Sequence, residues 1–264
     1  MSRGVGVRFA GAIAALALGG LALCGTAQAQ DAVQCRSPLE TKDLEHAPVN
    51  FRERIAAGKP LKIVAIGSSS TSGAGASSSA ASYPSQLEAE LKNRLPGLPI
   101  TVLNKGIGGE EAPQMVARFE ADVIDEAPDL VLWQVGSNSV LRDHPTPGEV
   151  IRQGVERLKS SGADVVLINP QYAPKILVKP GIEQSVDTIT ATARDAEVGL
   201  FNRFAAMRSW HETDHVPFEH FITADGLHMN DWGYACVAKL IAAALTDDIK
   251  PPAATAIVAP AVRR

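Results

Sequence analysis

The chain is poor in basic charge, aromatic rings and cysteine. Its 25 Lys and Arg are outnumbered by 29 Asp and Glu, giving a formal charge of -4 and an isoelectric point near 5.9. There is no cationic surplus to neutralise a phosphate backbone, so a nucleic-acid partner is not expected. Gly (22) and Pro (17) are dispersed without a period, which argues against repeat and collagen-like architectures. Aromatics make up 5%; Tyr83, Trp133 and Trp232 can be read as a platform for a substrate or, more simply, as packing. No Cys/His cluster has metal-ligand spacing, so no metal is expected. What remains, 45% hydrophobic and 20% charged over 264 residues, is the composition of a globular protein of one large domain or two small ones.

The N-terminus is a different kind of sequence. Arg3 and Arg8 precede an apolar run at 10–24, and small residues follow up to Ala27-Gln28-Ala29. This is the pattern of a cleaved secretory signal over residues 1–29. An uncleaved membrane anchor is the alternative, but an Ala/Gly-rich stretch ending in Ala-x-Ala fits cleavage better. The expectation is therefore a periplasmic or secreted protein with no stable membrane insertion. Cys35 and Cys236 survive such cleavage. In an oxidising compartment they can close a bridge from the N-terminal extension to the last helix, or remain two buried thiols.

Beyond an extension at 30–59, with a short amphipathic piece around Phe51 and Ile55, apolar runs alternate with helical periodicity. The runs lie at 61–66, 100–103, 130–135, 165–168 and, weakly, 198–201. Between them apolar residues recur every three or four positions, as in Leu87-Leu91-Leu95 and Ile151-Val155-Leu158. Strands apolar on both faces and separated by helices predict a five-stranded parallel sheet covered on both sides, one α/β domain over 60–248. Residues 249–264, rich in Ala, Pro and Val, read as a loose tail.

In such a fold ligands sit beyond the carboxyl ends of the strands, and four segments there carry chemistry. Gly67-Ser68-Ser69-Ser70-Thr71 follows the first run. It suits a serine exposed at a strand-to-helix turn, a phosphate cradle, though without a Walker lysine, or a plain polar loop. Asn104-Lys105-Gly106-Ile107-Gly108-Gly109 follows the second run and can aim a backbone N–H at a bound oxygen, or simply turn the chain. Gly136-Ser137-Asn138-Ser139 follows the third, where Asn138 is either an amide donor or a helix cap. Asp225-Gly226-Leu227-His228 precedes the last helix, and an Asp three residues before a His can hold the imidazole in a proton-accepting tautomer. His46, His144, His211, His215 and His220 read as surface or loop residues.

Taken in order, Gly67-Ser68-Ser69, Asn104-x-Gly106-x-x-Gly109, Gly136-x-Asn138 and Asp225-x-x-His228 resemble the four blocks of the SGNH hydrolases, also called GDSL-type esterases. The resemblance spans roughly 61–245. It implies a flavodoxin-like three-layer α/β/α sandwich and a serine esterase acting on short acyl or O-acetyl groups, with carbohydrate among the possible carriers. It further implies Ser69 as nucleophile, His228 as general base and Asp225 as the residue that orients it. The oxyanion donors would be Gly109, Asn138 and the N–H of Ser69, and no cofactor is needed. Two positions depart from the family pattern, which usually has Asp where this chain has Ser68 and Ser139. With serines on both sides of Ser69, it is Gly67 that sets the register. The same residues would serve an O-acyltransferase, and a non-catalytic carbohydrate-binding module could keep the scaffold; a small-molecule or glycan ester is the partner expected for the enzyme.

Overall fold

In the computed structural model the described residues are 43–249, with Met1, 34–36 and Pro38. The leader at 1–29 and the tail beyond 249 thus lie outside them, Met1 apart. The described residues from Cys35 to Ile249 form one compact unit. Its elements run α1 (Val49–Ala56), β1 (Leu61–Gly67), α2 (Ser69–Ser72), α3 (Tyr83–Arg94), β2 (Ile100–Gly106), α4 (Ala112–Ala117), β3 (Leu130–Gln134) and α5 (Ser137–Leu141). They continue with α6 (Gly148–Ser160), β4 (Asp164–Ile168), α7 (Pro174–Leu177), α8 (Ile182–Asp195), β5 (Gly199–Phe201), α9 (Arg203–Arg208), α10 (Phe218–Phe221) and α11 (Asp231–Thr246).

The five apolar runs are the five strands. All pair in parallel, in the order β2-β1-β3-β4-β5. Side chains alternate across the sheet, so each strand feeds two cores. Ile63 and Leu132 join the cluster that holds Leu87 and Leu91 of α3 and Ile241 of α11. Their neighbours Val64 and Trp133 join the opposite cluster, with Ile151, Val155 and Leu158 of α6. Each such side chain removed from water contributes roughly 1.5–3 kcal/mol, which is why the sheet is covered on both faces. The result is the expected three-layer α/β/α fold.

Local chemistry marks where the helices begin. Pro84 sits in the first turn of α3, where its missing N–H costs nothing. Glu111 and Gln114 form a reciprocal capping box on α4. Asn202 and Asn230 accept from the third residue of α9 and α11, at 3.0 and 3.1 Å. Short π-helical turns extend the chain at Glu120–Ile124 and Ser209–Thr213.

The N-terminal extension is built into this unit. Phe51 and Ile55 of α1 are fully buried, and the Asp164 carboxylate accepts from the Phe51 N–H (2.8 Å) and Asn50 Nδ2 (3.1 Å). Leu200 of edge strand β5 donates its N–H to the Leu44 carbonyl at 3.1 Å. Cys35 and Cys236 are joined in a disulfide, Cα atoms 5.5 Å apart and 201 residues apart in sequence. Trp210 Nε1 donates to the adjacent Arg36 carbonyl at 2.9 Å. No helix among the described residues is long and apolar enough to cross a membrane.

A cross-link closing so long a loop restricts the unfolded chain. Cys35→Ser should lower stability by about 2–5 kcal/mol, read as a lower urea midpoint under non-reducing conditions; an unchanged midpoint would show that the bridge adds nothing.

Candidate active site

Ser69 is the first residue of α2, two residues past the end of β1, and is half-buried. At that position its backbone N–H has no acceptor within the helix. A buried amide supports the turn from below. Gln134 Oε1, at the end of β3, accepts from the Ser68 N–H (3.0 Å) and Ser68 Oγ (2.9 Å), with Ser70 Oγ and Thr71 Oγ1 at 3.2 and 3.4 Å. Around it lies a wholly buried guanidinium. Arg203 donates to the Asn169 carbonyl, to Ser70 Oγ and to Gln171 Oε1 at 2.9–3.1 Å, with no carboxylate among these partners. Burial pulls Arg203 down to about 10, still cationic at neutral pH. Burial also raises the Tyr83 hydroxyl, which lies against Thr71, to about 12.

The second strand meets this turn at very short range. A Cβ on Gly106 would lie 2.1 Å from the Ser72 nitrogen, so only glycine lets β2 end there. Beyond it the Ile107 N–H donates to the Gly67 carbonyl at 3.0 Å. A Cβ on Gly108 would lie 3.9 Å from that of Ser69, which puts the 108–109 peptide beside the serine. Asn138 lies in the first turn of α5, whose cap is Gly136, so it is not a helix cap. One N–H of its amide donates to the Glu110 carbonyl at 2.7 Å; Nδ2 carries a second.

The fourth segment folds back on itself. Ile222 and Met229 form an antiparallel bridge, and the Thr223 N–H donates to the His228 carbonyl at 2.8 Å. Inside this loop Asp225 Oδ1 accepts from Thr223 Oγ1 and the N–H groups of Leu227 and His228 at 2.7–2.9 Å. Asp225 Oδ2 lies 2.6 Å from His228 Nδ1, and His228 Nε2 lies 2.9 Å from Ser69 Oγ. Burial by itself raises the Asp225 carboxyl, but the bond from His228 and these three donors outweigh it and hold the group well below the usual carboxylate range. An ionised Asp225 can only accept, so Nδ1 carries the imidazole proton and Nε2 is left to accept from Ser69. The loop is pinned to the serine's own: a Cβ on Gly75 would meet the Met229 carbonyl at 2.6 Å and His228 Cβ at 3.0 Å. Tyr234 Oη donates to the Ala74 carbonyl at 2.6 Å, and Asp231 accepts from the Ser77 N–H and Oγ.

Ser69, Asn138, Asp225, His228 and the Gly109 peptide thus come together at one end of the sheet, while Cys35 and Cys236 lie in the bridge. Tyr83 and Trp133 are core, and Trp232 stacks edge-on against Trp210. His211 stacks on Phe218 with centroids 3.9 Å apart, and His220 Nε2 is buried with no hydrogen-bond partner among the described residues, so neither is a plain surface residue. Gln134, Arg203 and Thr223 went unnoticed. Gln134 left a signal, one polar residue inside an apolar run; the other two left none. Among the described residues no group of three or more His, Cys, Asp and Glu side chains is placed to hold a metal ion.

The model of the Non-GDSL lipase-like family matches residues 34–251. A curated acetylxylan esterase from Geobacillus stearothermophilus is 44% identical over 52 residues, which is 20% of this chain and 24% of that protein. The chain therefore spans about a quarter of that relative. An arylesterase from Vibrio mimicus is 28% identical over 171 residues, 61% of this chain and 76% of that protein. Among solved structures, Axe2, an acetylxylan esterase from Geobacillus stearothermophilus, superposes with a TM-score of 0.61 at 21% identity, covering 72% of this chain and 96% of its own.

Replacing the buried acceptor isolates its role. Gln134→Leu leaves the Ser68 N–H without a partner and should cost about 1–3 kcal/mol in a denaturant titration; a variant as stable as the parent would mean that water replaces the amide.

Proposed function

The chain belongs to the Non-GDSL lipase-like family, and from that membership we propose that it is a carboxylic ester hydrolase working through a covalent acyl-enzyme on Ser69. The observation that carries this reading is the continuous chain of bonds from Ser69 Oγ through His228 to Asp225, at 2.9 and 2.6 Å. His228 Nε2 takes the Ser69 proton as Oγ attacks the ester carbonyl, and Asp225 stabilises the imidazolium that forms. The carbonyl oxygen becomes an oxyanion facing the Ser69 N–H at the start of α2, the Gly109 N–H and the second N–H of Asn138. His228 then protonates the departing alcohol. In the second half it draws a proton from water, which attacks the acyl group, releases the acid and restores Ser69.

The substrate class proposed is a short acyl ester, with an O-acetyl group on a carbohydrate as the favoured case. Its support is kinship with proteins described as acetylxylan esterase and arylesterase. Export through the leader at 1–29 belongs to the same proposal, because a polymeric glycan is met outside the cytoplasm. N-terminal sequencing of the exported protein should begin at Gln30; a product retaining the leader would count against export by cleavage.

Incubation with p-nitrophenyl acetate and, separately, with a fluorophosphonate probe tests the chemistry. Hydrolysis and labelling should both vanish in Ser69→Ala. A folded wild-type protein that is neither labelled nor active would overturn the proposal. Asn138→Ala should reduce turnover by roughly two orders of magnitude, and an unchanged rate would remove Asn138 from the site.

A further inference from the structure

The two protein donors outside the nucleophile's turn sit on different elements, Gly109 in the loop after β2 and Asn138 in α5. The loop is anchored at its ends, by the Ile107 N–H on the Gly67 carbonyl at 3.0 Å and by Arg118 on the Glu110 carboxylate at 2.8 Å, but the two glycines between them are less constrained. Gly108 and Gly109 have no side chains to pack, and Gly109 is in the left-handed region at φ +82, so the entropy of ordering this backbone is high. Between those anchors the Gly109 peptide is held by bonds to the carbonyls of Gly109 and Glu110.

Two side chains one turn apart on α5 make those bonds. Asn138 donates to the Glu110 carbonyl at 2.7 Å. Arg142, at the end of the helix, donates through Nη2 to the Gly109 carbonyl at 2.8 Å and through Nη1 to Glu111 Oε1 at 2.7 Å. Glu111, the cap of α4, also accepts from Ser139 Oγ at 3.0 Å and lies 3.3 Å from His144 Nδ1. Its side chain is 14% exposed against 44% for Arg142, so the carboxylate is the fixed post and the guanidinium the movable strap. Burial alone raises the Glu111 carboxyl, but bonds from Arg142, Ser139 and His144 hold it below its usual range, and it stays anionic.

We infer that Arg142 is a positioning residue for the oxyanion hole, aimed by Glu111 and fixing the Gly109 peptide relative to Asn138. A half-exposed ion pair of this kind adds little stability; its effect is geometric. Only a planar fork can span the Glu111 carboxylate and the Gly109 carbonyl at once. The inference rests on the acyl-enzyme reading above. It assigns to Glu111 the anionic charge that Ser139, where the family usually has Asp, does not supply.

Arg142→Ala should keep the wild-type melting temperature and lose about tenfold in both kcat and kcat/KM on p-nitrophenyl acetate, less than the roughly 10²–10³-fold lost with a direct donor. Fluorophosphonate labelling should slow in parallel. Millimolar guanidinium chloride, far below denaturing concentration, should restore much of the loss in Arg142→Ala and leave the wild type unaffected. Arg142→Lys, a single-point donor, should remain impaired, and Glu111→Gln should fall several-fold by losing the charge that aims the strap. Unchanged turnover in Arg142→Ala, a change confined to KM, or a loss that guanidinium does not repair would each overturn the inference. Wild-type protein that resists the probe would instead remove the acyl-enzyme reading itself, and this inference with it.

Discussion

Everything at this site hangs on one buried amide. The turn from β1 into α2 leaves the Ser68 N–H pointing into the protein, where water cannot reach it. An unmet donor there costs about 1–3 kcal/mol. Gln134 Oε1 meets it, and meets the Ser68 hydroxyl as well. With the turn seated, Gly106 can bring β2 against it, the loop after β2 falls beside Ser69, and α5 begins only three residues past Gln134 itself. The same residue that ends one strand thus sets the position of the serine at the end of its neighbour. Arg203 closes the network from the far side through Ser70.

That network also gives a physical context for the two positions that depart from the family pattern. Ser68 is buried and neutral, bonded to an amide, and the nearest strong charge in the network is the cationic Arg203. Burying a guanidinium without a carboxylate is costly unless its nitrogens find oxygens; here each of the three nitrogens donates to one, Nε to the Asn169 carbonyl, Nη1 to Ser70 Oγ and Nη2 to Gln171 Oε1. At the second position Ser139 Oγ binds a carboxylate supplied by Glu111 from the opposite loop. Neutral hydroxyls therefore stand at both positions, and the charge around the site is carried by other residues.

The sheet was legible in the sequence because parallel strands buried on both faces are continuous apolar runs, and all five runs are strands. Two extend past their apolar stretch, β1 to Gly67 and β2 to Gly106, since the paired backbone continues to the point where the chain turns. The Asp225-x-x-His228 spacing was legible because three residues of a tight loop suffice to bring those side chains together. Gln134 and Arg203 were not, because their roles depend on partners far away in the chain: Ser68 is 66 residues from Gln134, and Ser70 is 133 from Arg203. The extension at 30–59 reads as separate from the 60–248 domain because it holds only one short amphipathic piece, yet Phe51 and Ile55 are core and Cys35 is bonded to α11.

Identifying the atom that becomes acylated is the most direct test. Three consecutive serines stand at the turn, and Ser69 is the one bonded to His228, whereas Ser68 and Ser70 are buried against Gln134. The measurement is tandem mass spectrometry of the peptide spanning this turn after fluorophosphonate labelling. A single adduct on Ser69 is expected; an adduct on Ser68, Ser70 or a residue elsewhere would contradict the proposed nucleophile.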